Sequence, residues 1–249
     1  MVPNTLFMGR QLFFLPVCES TNSEAQQLLI KNEATEGCLV LTAQQTSGRG
    51  QRGNTWEAEP GKNITLSVIL SPTFLAARHQ FFLNMAVSLA VLDLLREQGL
   101  VQAQVKWPND LYFEGKKLGG ILIENTISSH YLQHSIIGIG LNVNQLQFQF
   151  PTATSLAACL GHALDVEALV AQLMELLEKR YLELRNGKTA RLKYEYLQAL
   201  FRYQQMHPFI VDNRQVQGMI TGIDDDGRLG VEIKGLLHYF SFKEIAFVI

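Results

Sequence analysis

The alternation of apolar and polar positions divides the chain into a long part with strands and helices interspersed and a short tail of strands alone. Residues 39–45 (LVLTAQQ) and 62–70 (KNITLSVIL) read as strands. After Pro72, apolar residues at three- and four-residue spacing predict a helix over 78–98, packed against the sheet. Residues 102–107, 117–125 and 131–144 are three further strand candidates, with Pro108, Asn109, Asp110 and Gly115 marking the first boundary. Ahead of them all, STNSEAQQLLIKNE carries Thr21 with Glu24 three residues later, a capping-box pattern that predicts a helix ending near Gly37. Beyond Pro151 the period is helical over 165–185 and 188–204, with Asn186-Gly187 between them as a C-cap. From about His207, short alternating runs punctuated by Gly218, Gly222, Gly227 and Gly235 predict a small β-barrel. The expected class is α+β, with helices against a sheet over residues 1–205 and the barrel over 206–249.

Composition agrees with a large buried core, since 47% of the 249 residues are apolar and only 18% charged, against roughly 25% in an average globular protein. A net charge of −2, with Lys and Arg spread along the chain, argues against a protein that grips duplex nucleic acid. The most apolar stretch, residues 81–95, is interrupted by Asn84, Ser88 and Asp93 and reads as a core helix rather than a bilayer span. No export signal opens the chain, so the cytoplasm is expected. Cys18, Cys38 and Cys159 lack metal or disulfide spacing and read as reduced thiols.

Five short segments carry candidate chemistry. Gly48-Arg49-Gly50-Gln51-Arg52-Gly53, with Trp56 just beyond, follows a strand; its glycines let backbone N–H groups turn towards an anion and its arginines fork onto carboxylate or phosphate. A solvated surface turn is the plain alternative. KWPND, residues 106–110, is also an ordinary turn. In KLGGILIE, residues 117–124, Lys117 starts a strand and Gly119-Gly120 lets a ligand approach the backbone, or else forms a bulge. GIGLNVN puts Asn142 and Asn144 after a buried strand, where amides need partners of either kind, structural or ligand. Ser20-Thr21-Asn22 is explained by the cap alone, although a helix N-terminus beside a pocket also supplies donors.

In order and spacing, STN, Q…GRG…RG…W, KWPND, K-L-x-G-I-L and G-x-G-x-N resemble the biotin–protein ligase family, and the resemblance extends over nearly the whole chain. It implies a mixed β-sheet with helices and a C-terminal SH3-like barrel, the latter also matched by the tail GxITGIDDDGRL and FKEIAFVI. It implies that Ser20, Thr21, Asn22 and Gln45 recognise the ureido ring of biotin, with Gly138 and Gly140 leaving room for the bicycle and Gly120 beside it. Gly48, Arg49 and Gly50 would hold the biotin carboxylate and the α-phosphate of ATP, with Lys117 opposite. On the nucleotide, Trp56 would cover the adenine and Asn142 bond it, with Lys106, Asn109 and Arg52 nearby. Gln51 stands where many members have arginine, so a contact there is a hydrogen bond and not an ion pair.

The implied activity is formation of biotinyl-5′-adenylate from biotin and ATP with Mg2+, then transfer of biotin to a lysine of a biotin carboxyl carrier domain of a carboxylase. Arg49 and Lys117 would be catalytic through charge, and Asp110 would orient the acceptor lysine or contact the metal. The STN motif begins at residue 20, which leaves no room for the DNA-binding winged helix of bifunctional members, so no specific DNA and no membrane partner are expected. Pairing of two chains through a strand edge is left open. The rival readings are a lipoate ligase or octanoyl transferase, and a non-catalytic biotin sensor.

Overall fold

The computed structural model describes residues 2–248, apart from the side chain of Arg52. The chain begins with β1 (Leu12–Cys18), α1 (Thr21–Ile30), β2 (Leu39–Gln45) and β3 (Ile64–Leu70), continues through α2 (Phe81–Glu97), and then lays down β4 (Gln104–Lys106), β5 (Asp110–Phe113), β6 (Lys116–Ser128) and β7 (Tyr131–Leu141). Three helices follow, α3 (Leu156–Leu160), α4 (Val166–Arg185) and α5 (Thr189–Gln198). The tail holds β8 (Met206–Val211), β9 (Arg214–Ile223), β10 (Leu229–Ile233), β11 (Leu236–Phe240) and β12 (Ile245–Phe247).

Seven strands form one sheet in the order β1-β2-β3-β7-β6-β5-β4. The β1–β2 pair is parallel and the others antiparallel, so the sheet is mixed and the class is α+β. The other five strands form a second, antiparallel sheet in the order β11-β10-β9-β8-β12. Among the described residues no helix is long and apolar enough to cross a membrane.

The first sheet has two unlike faces because side chains alternate along each strand. Leu66 and Val68 of β3 and Ile137 and Ile139 of β7 bury against α2 and α4 in the main core. On the opposite face Val40, Ile69 and Ile136 pack beneath Ala25 of α1. Farther along that same face the apolar residues give way to Ser67 on β3 and to Gly138 and Gly140 on β7, which are register neighbours of Ser67 and Thr65. The cavity described below lies there.

On the far side, Arg180 of α4, only 8% exposed in its side chain, joins three helices. It donates to Asp93 of α2 at 2.7 and 3.1 Å and to Glu195 of α5 at 2.6 Å. Burial works against its charge, but Asp93 and Glu195 outweigh that and hold the guanidinium above its ordinary pKa.

Several expectations need correction. Helix α1 starts as expected but stops at Ile30, with Asn32 in the left-handed region at φ 56°, so Gly37 belongs to the turn into β2. The capping box does not form: Ser20 is the N-cap without a side-chain bond, and the Thr21 hydroxyl turns to Gln45 instead. Helix α5 ends at Gln198 rather than near residue 204, because the backbone leaves it to pair with β4: Val105 donates to Ala199 O at 2.9 Å and Phe201 to Val105 O at 2.8 Å. Strands β1 and β5 and the short α3 had no counterpart in the sequence reading.

Candidate active site

A cavity opens on the glycine-bearing face of the first sheet, between α1, the 48–56 loop, the ends of β4 to β6 and Phe242 from the connection between β11 and β12. It brings together nearly every residue singled out from the sequence, from Ser20 at one end to Lys117 at the other. Gly48 and Asn142 are not among its lining residues, and the Arg52 side chain lies outside the described residues.

Its floor is a row of hydrogen-bonded polar groups buried beside the sheet. Thr21 donates to Gln45 Oε1 from its backbone N–H at 2.8 Å and from its hydroxyl at 3.1 Å. Ser67 Oγ lies 2.7 Å from Thr21 Oγ1 and 2.5 Å from Asn22 Oδ1, and Asn22 Nδ2 donates to Glu124 Oε2 at 2.7 Å. The three contacts made by the Thr21 and Ser67 hydroxyls need a proton each, and the two hydroxyls have one apiece. The floor is therefore short of donors and rich in acceptors, which suits a ligand bearing N–H groups.

Glycine serves this floor by close approach. A Cβ on Gly138 would stand 2.5 Å from Asn22 Oδ1, and one on Gly140 would overlap the Trp56 indole. Gly138 and Gly140 both line the cavity, and Asn22 and Trp56 pack directly against them. The Trp56 Nε1–H is buried there without a hydrogen-bond partner.

The loop from Gly48 to Trp56 closes on itself. Arg49 and Thr55 form an antiparallel bridge, the Trp56 N–H donates to Gly48 O at 2.9 Å, and the Gly50 N–H donates to Asn54 O at 2.7 Å. The backbone N–H groups of Gly50 and Trp56 are thus used within the loop itself. Arg49 reaches across to Glu124, with Nη2 3.0 Å from Oε2. Gln51 lines the cavity from a turn of 3-10 helix.

At the other end, Lys117 Nζ lies 2.7 Å from Asp110 Oδ1. Strand register explains the meeting, because Asp110 pairs with Lys106 on one side and with Gly120 on the other, and Lys117 lies on the same strand as Gly120. Lys106 Nζ sits 5.2 Å above the rings of both Tyr112 and Phe247. Burial lowers its pKa, Asp110 opposes that, and Lys117 and Arg202 add to it. The amide of Asn109 donates to Ile121 O, and that of Asn142 donates to Thr154 O at 3.0 Å, so both Nδ2 donors are engaged in structure. Asn142 lies outside the cavity lining.

Glu124, Ser67, Thr65 and Phe242 were not chosen from the sequence. For Ser67 and Thr65 a signal existed: ITLSVIL is wholly buried, yet two alternate positions are hydroxyls. For Phe242 there was none, because it comes from the connection between β11 and β12.

Comparison with known proteins agrees with this architecture. Residues 14–142 match the model of the Biotin/lipoate A/B protein ligase family. The bifunctional ligase/repressor BirA of Bacillus subtilis is 34% identical over 92% of this chain and 71% of its own length. The biotin–[acetyl-CoA-carboxylase] ligase of Mycobacterium tuberculosis is 30% identical over 91% of this chain and 85% of its own. In fold, the chain is similar to the biotin protein ligase of Aquifex aeolicus in complex with biotin and ATP, at a TM-score of 0.80 and 21% identity over 95% of this chain and 98% of that one. The matched span contains the polar floor, the arginine loop and the Asp110–Lys117 pair, and the chain belongs to the biotin/lipoate A/B protein ligase family.

Proposed function

We propose that the protein is a biotin–protein ligase that converts biotin and ATP to biotinyl-5′-adenylate and transfers biotin to a lysine of a biotin carboxyl carrier domain. The observation that carries this reading is one cavity lined both by an acceptor-rich floor and by the cations Arg49 and Lys117. The ureido N–H groups of biotin match the floor of Thr21, Asn22 and Gln45, which Ser67 supports from behind. The carboxylate chain then points towards Arg49 and Lys117.

In the first step the biotin carboxylate attacks the α-phosphorus of ATP and the bond to the departing pyrophosphate breaks. Two anions meet and charge accumulates, so Arg49 and Lys117 act by position and charge. Each is held by an internal carboxylate, Glu124 and Asp110, that an anionic ligand displaces. Among the described residues that line the cavity Asp110 is the only carboxylate, and one carboxylate together with phosphate oxygens suits magnesium. Asp110 would hold Mg2+, which would supply positive charge to offset that of the phosphates. In the second step the carrier lysine attacks the acyl carbonyl and AMP leaves. An ordinary lysine is only about 0.1% neutral near pH 7.4, so its amine needs orienting at the mouth of the cavity.

We read residues 1–205 as the catalytic unit and residues 206–249 as an SH3-like domain that contributes Phe242 to the cavity. The test is pyrophosphate release with ATP, Mg2+ and biotin, lipoate or octanoate in parallel, followed by mass spectrometry of an added carrier domain. Biotin-dependent release and a biotinylated lysine are expected. Release with lipoate or octanoate alone would move the protein to that branch of the family, and binding without release would make it a sensor.

A further inference from the structure

Glu124 of β6 does more than pair with Arg49, because one of its oxygens is shared by two residues of the cavity. Oε2 accepts from Asn22 Nδ2 at 2.7 Å and from Arg49 Nη2 at 3.0 Å. Asn22 is buried, 3% exposed, whereas the Arg49 and Glu124 side chains are 43% and 41% exposed. We propose that Glu124 is a positioning residue of the ligand site: it fixes the orientation of the Asn22 amide and holds Arg49 by an ion pair that an anionic ligand replaces.

The Asn22 amide has two orientations, and its surroundings choose one. With Nδ2 on Glu124, Oδ1 receives Ser67 Oγ at 2.5 Å. Turned over, Oδ1 would face a carboxylate that can only accept. Sideways movement is closed off as well, because Oδ1 already lies against the bare backbone of Gly138 and Nδ2 is 3.4 Å from Leu122 O. The acceptor oxygen that Glu124 supplies therefore decides which end of the amide the cavity presents.

Arg49 is held differently. An exposed ion pair contributes little, so the guanidinium is steered over the cavity without being locked there. A ligand carboxylate or phosphate offers two oxygens to the guanidinium fork and displaces the single Oε2 contact. When Arg49 leaves, Asn22 keeps its bond to Glu124, so the floor stays ordered while the cation changes partner.

The test compares wild type, Glu124→Ala and Glu124→Gln, all expected to melt within a few degrees of one another. Without ligand, trypsin cleavage after Arg49 is expected to be about fivefold faster in Glu124→Ala, the scale an exposed ion pair allows. Equal rates would overturn the tether. The second arm rests on the biotin-ligase reading and follows biotin-dependent pyrophosphate exchange. Glu124→Ala should raise the KM for biotin about tenfold with kcat changed less than about threefold, the loss expected for one misdirected buried amide. Glu124→Gln keeps an acceptor for Asn22 and removes the competing charge, so its KM should lie at or below that of wild type. A wild-type KM in Glu124→Ala, or Glu124→Gln as impaired as Glu124→Ala, would overturn the proposal. Absence of biotin-dependent exchange in wild type would instead sink the biotin reading, and the proteolysis arm would still decide the tether.

Discussion

A methyl group on Gly138 would stand 2.5 Å from Asn22 Oδ1, and the neighbouring Ser67 and Glu124 leave that amide nowhere to go. Gly138→Ala should therefore cost about 1–3 kcal/mol of stability, as overpacking does, and weaken biotin binding as well. A thermal melt and a calorimetric titration check the two effects; an unchanged melt with tight biotin binding would mean that the floor is more pliable than its contacts indicate. Lys117 is a different case, since its contribution is charge. Lys117→Ala should lower adenylate formation by roughly 10²-fold or more, on the scale of removing one charge-stabilising donor, as read by pyrophosphate release. The thiols offer a test of burial instead. Cys38 is fully buried and burial pushes its pKa up to about 11, while burial also raises that of Cys18, opposed in part by a hydrogen bond with Thr42. Iodoacetamide at mildly alkaline pH should label Cys159 first, and early labelling of Cys38 in a peptide map would contradict its burial.

At the scale of elements, Arg180 gives the clearest expectation. It ties α4 to α2 through Asp93 and to α5 through Glu195, and its removal would strip these partly buried carboxylates of the cation that joins them, leaving Glu195 only Arg191 and Asp93 only the distant Arg96. Arg180→Ala should destabilise the protein by about 3 kcal/mol or more, measured by denaturant unfolding. A loss of only a few tenths would show that the helices are held by apolar packing alone. The same scale shows what the sequence made legible. Strands β2 and β3 and helices α2 and α4 are long and periodic, so their patterns announce them. Strand β5 is four residues long and begins inside KWPND, which reads as a turn; β1 contains Pro16 and sits at the sheet edge. The end of α5 was overrun because apolar spacing continued past the point where pairing with β4 took over, and that of α1 because Gly37 reads as the cap whereas Asn32, at φ 56°, already ends the helix. Within the site, the motif residues were visible as glycine and polar interruptions of apolar strands, whereas Glu124 looked like the ordinary polar end of one.

On the scale of the whole molecule, the two sheets meet at the cavity. Trp107 Nε1 donates to Gly227 O at 3.0 Å, and the rings of Trp107 and Phe242 are 6.4 Å apart. Phe201, just beyond α5, also stacks towards Phe247 of β12, with centroids 6.3 Å apart. Buried contacts of this kind should make the two sheets unfold together, as one calorimetric transition. Two separated transitions would show that the second sheet folds independently of the first. That the tail forms strands was readable from its alternation; that it completes a wall of the cavity was not, since nothing local to Phe242 points across the chain. One feature of this wall reaches beyond binding. The chain has two tryptophans, Trp56 over Gly140 and Trp107 beside Phe242, and both line the cavity. All indole fluorescence of the protein thus originates at one place, so the emission of the unlabelled molecule is a spectroscopic record of what enters that cavity.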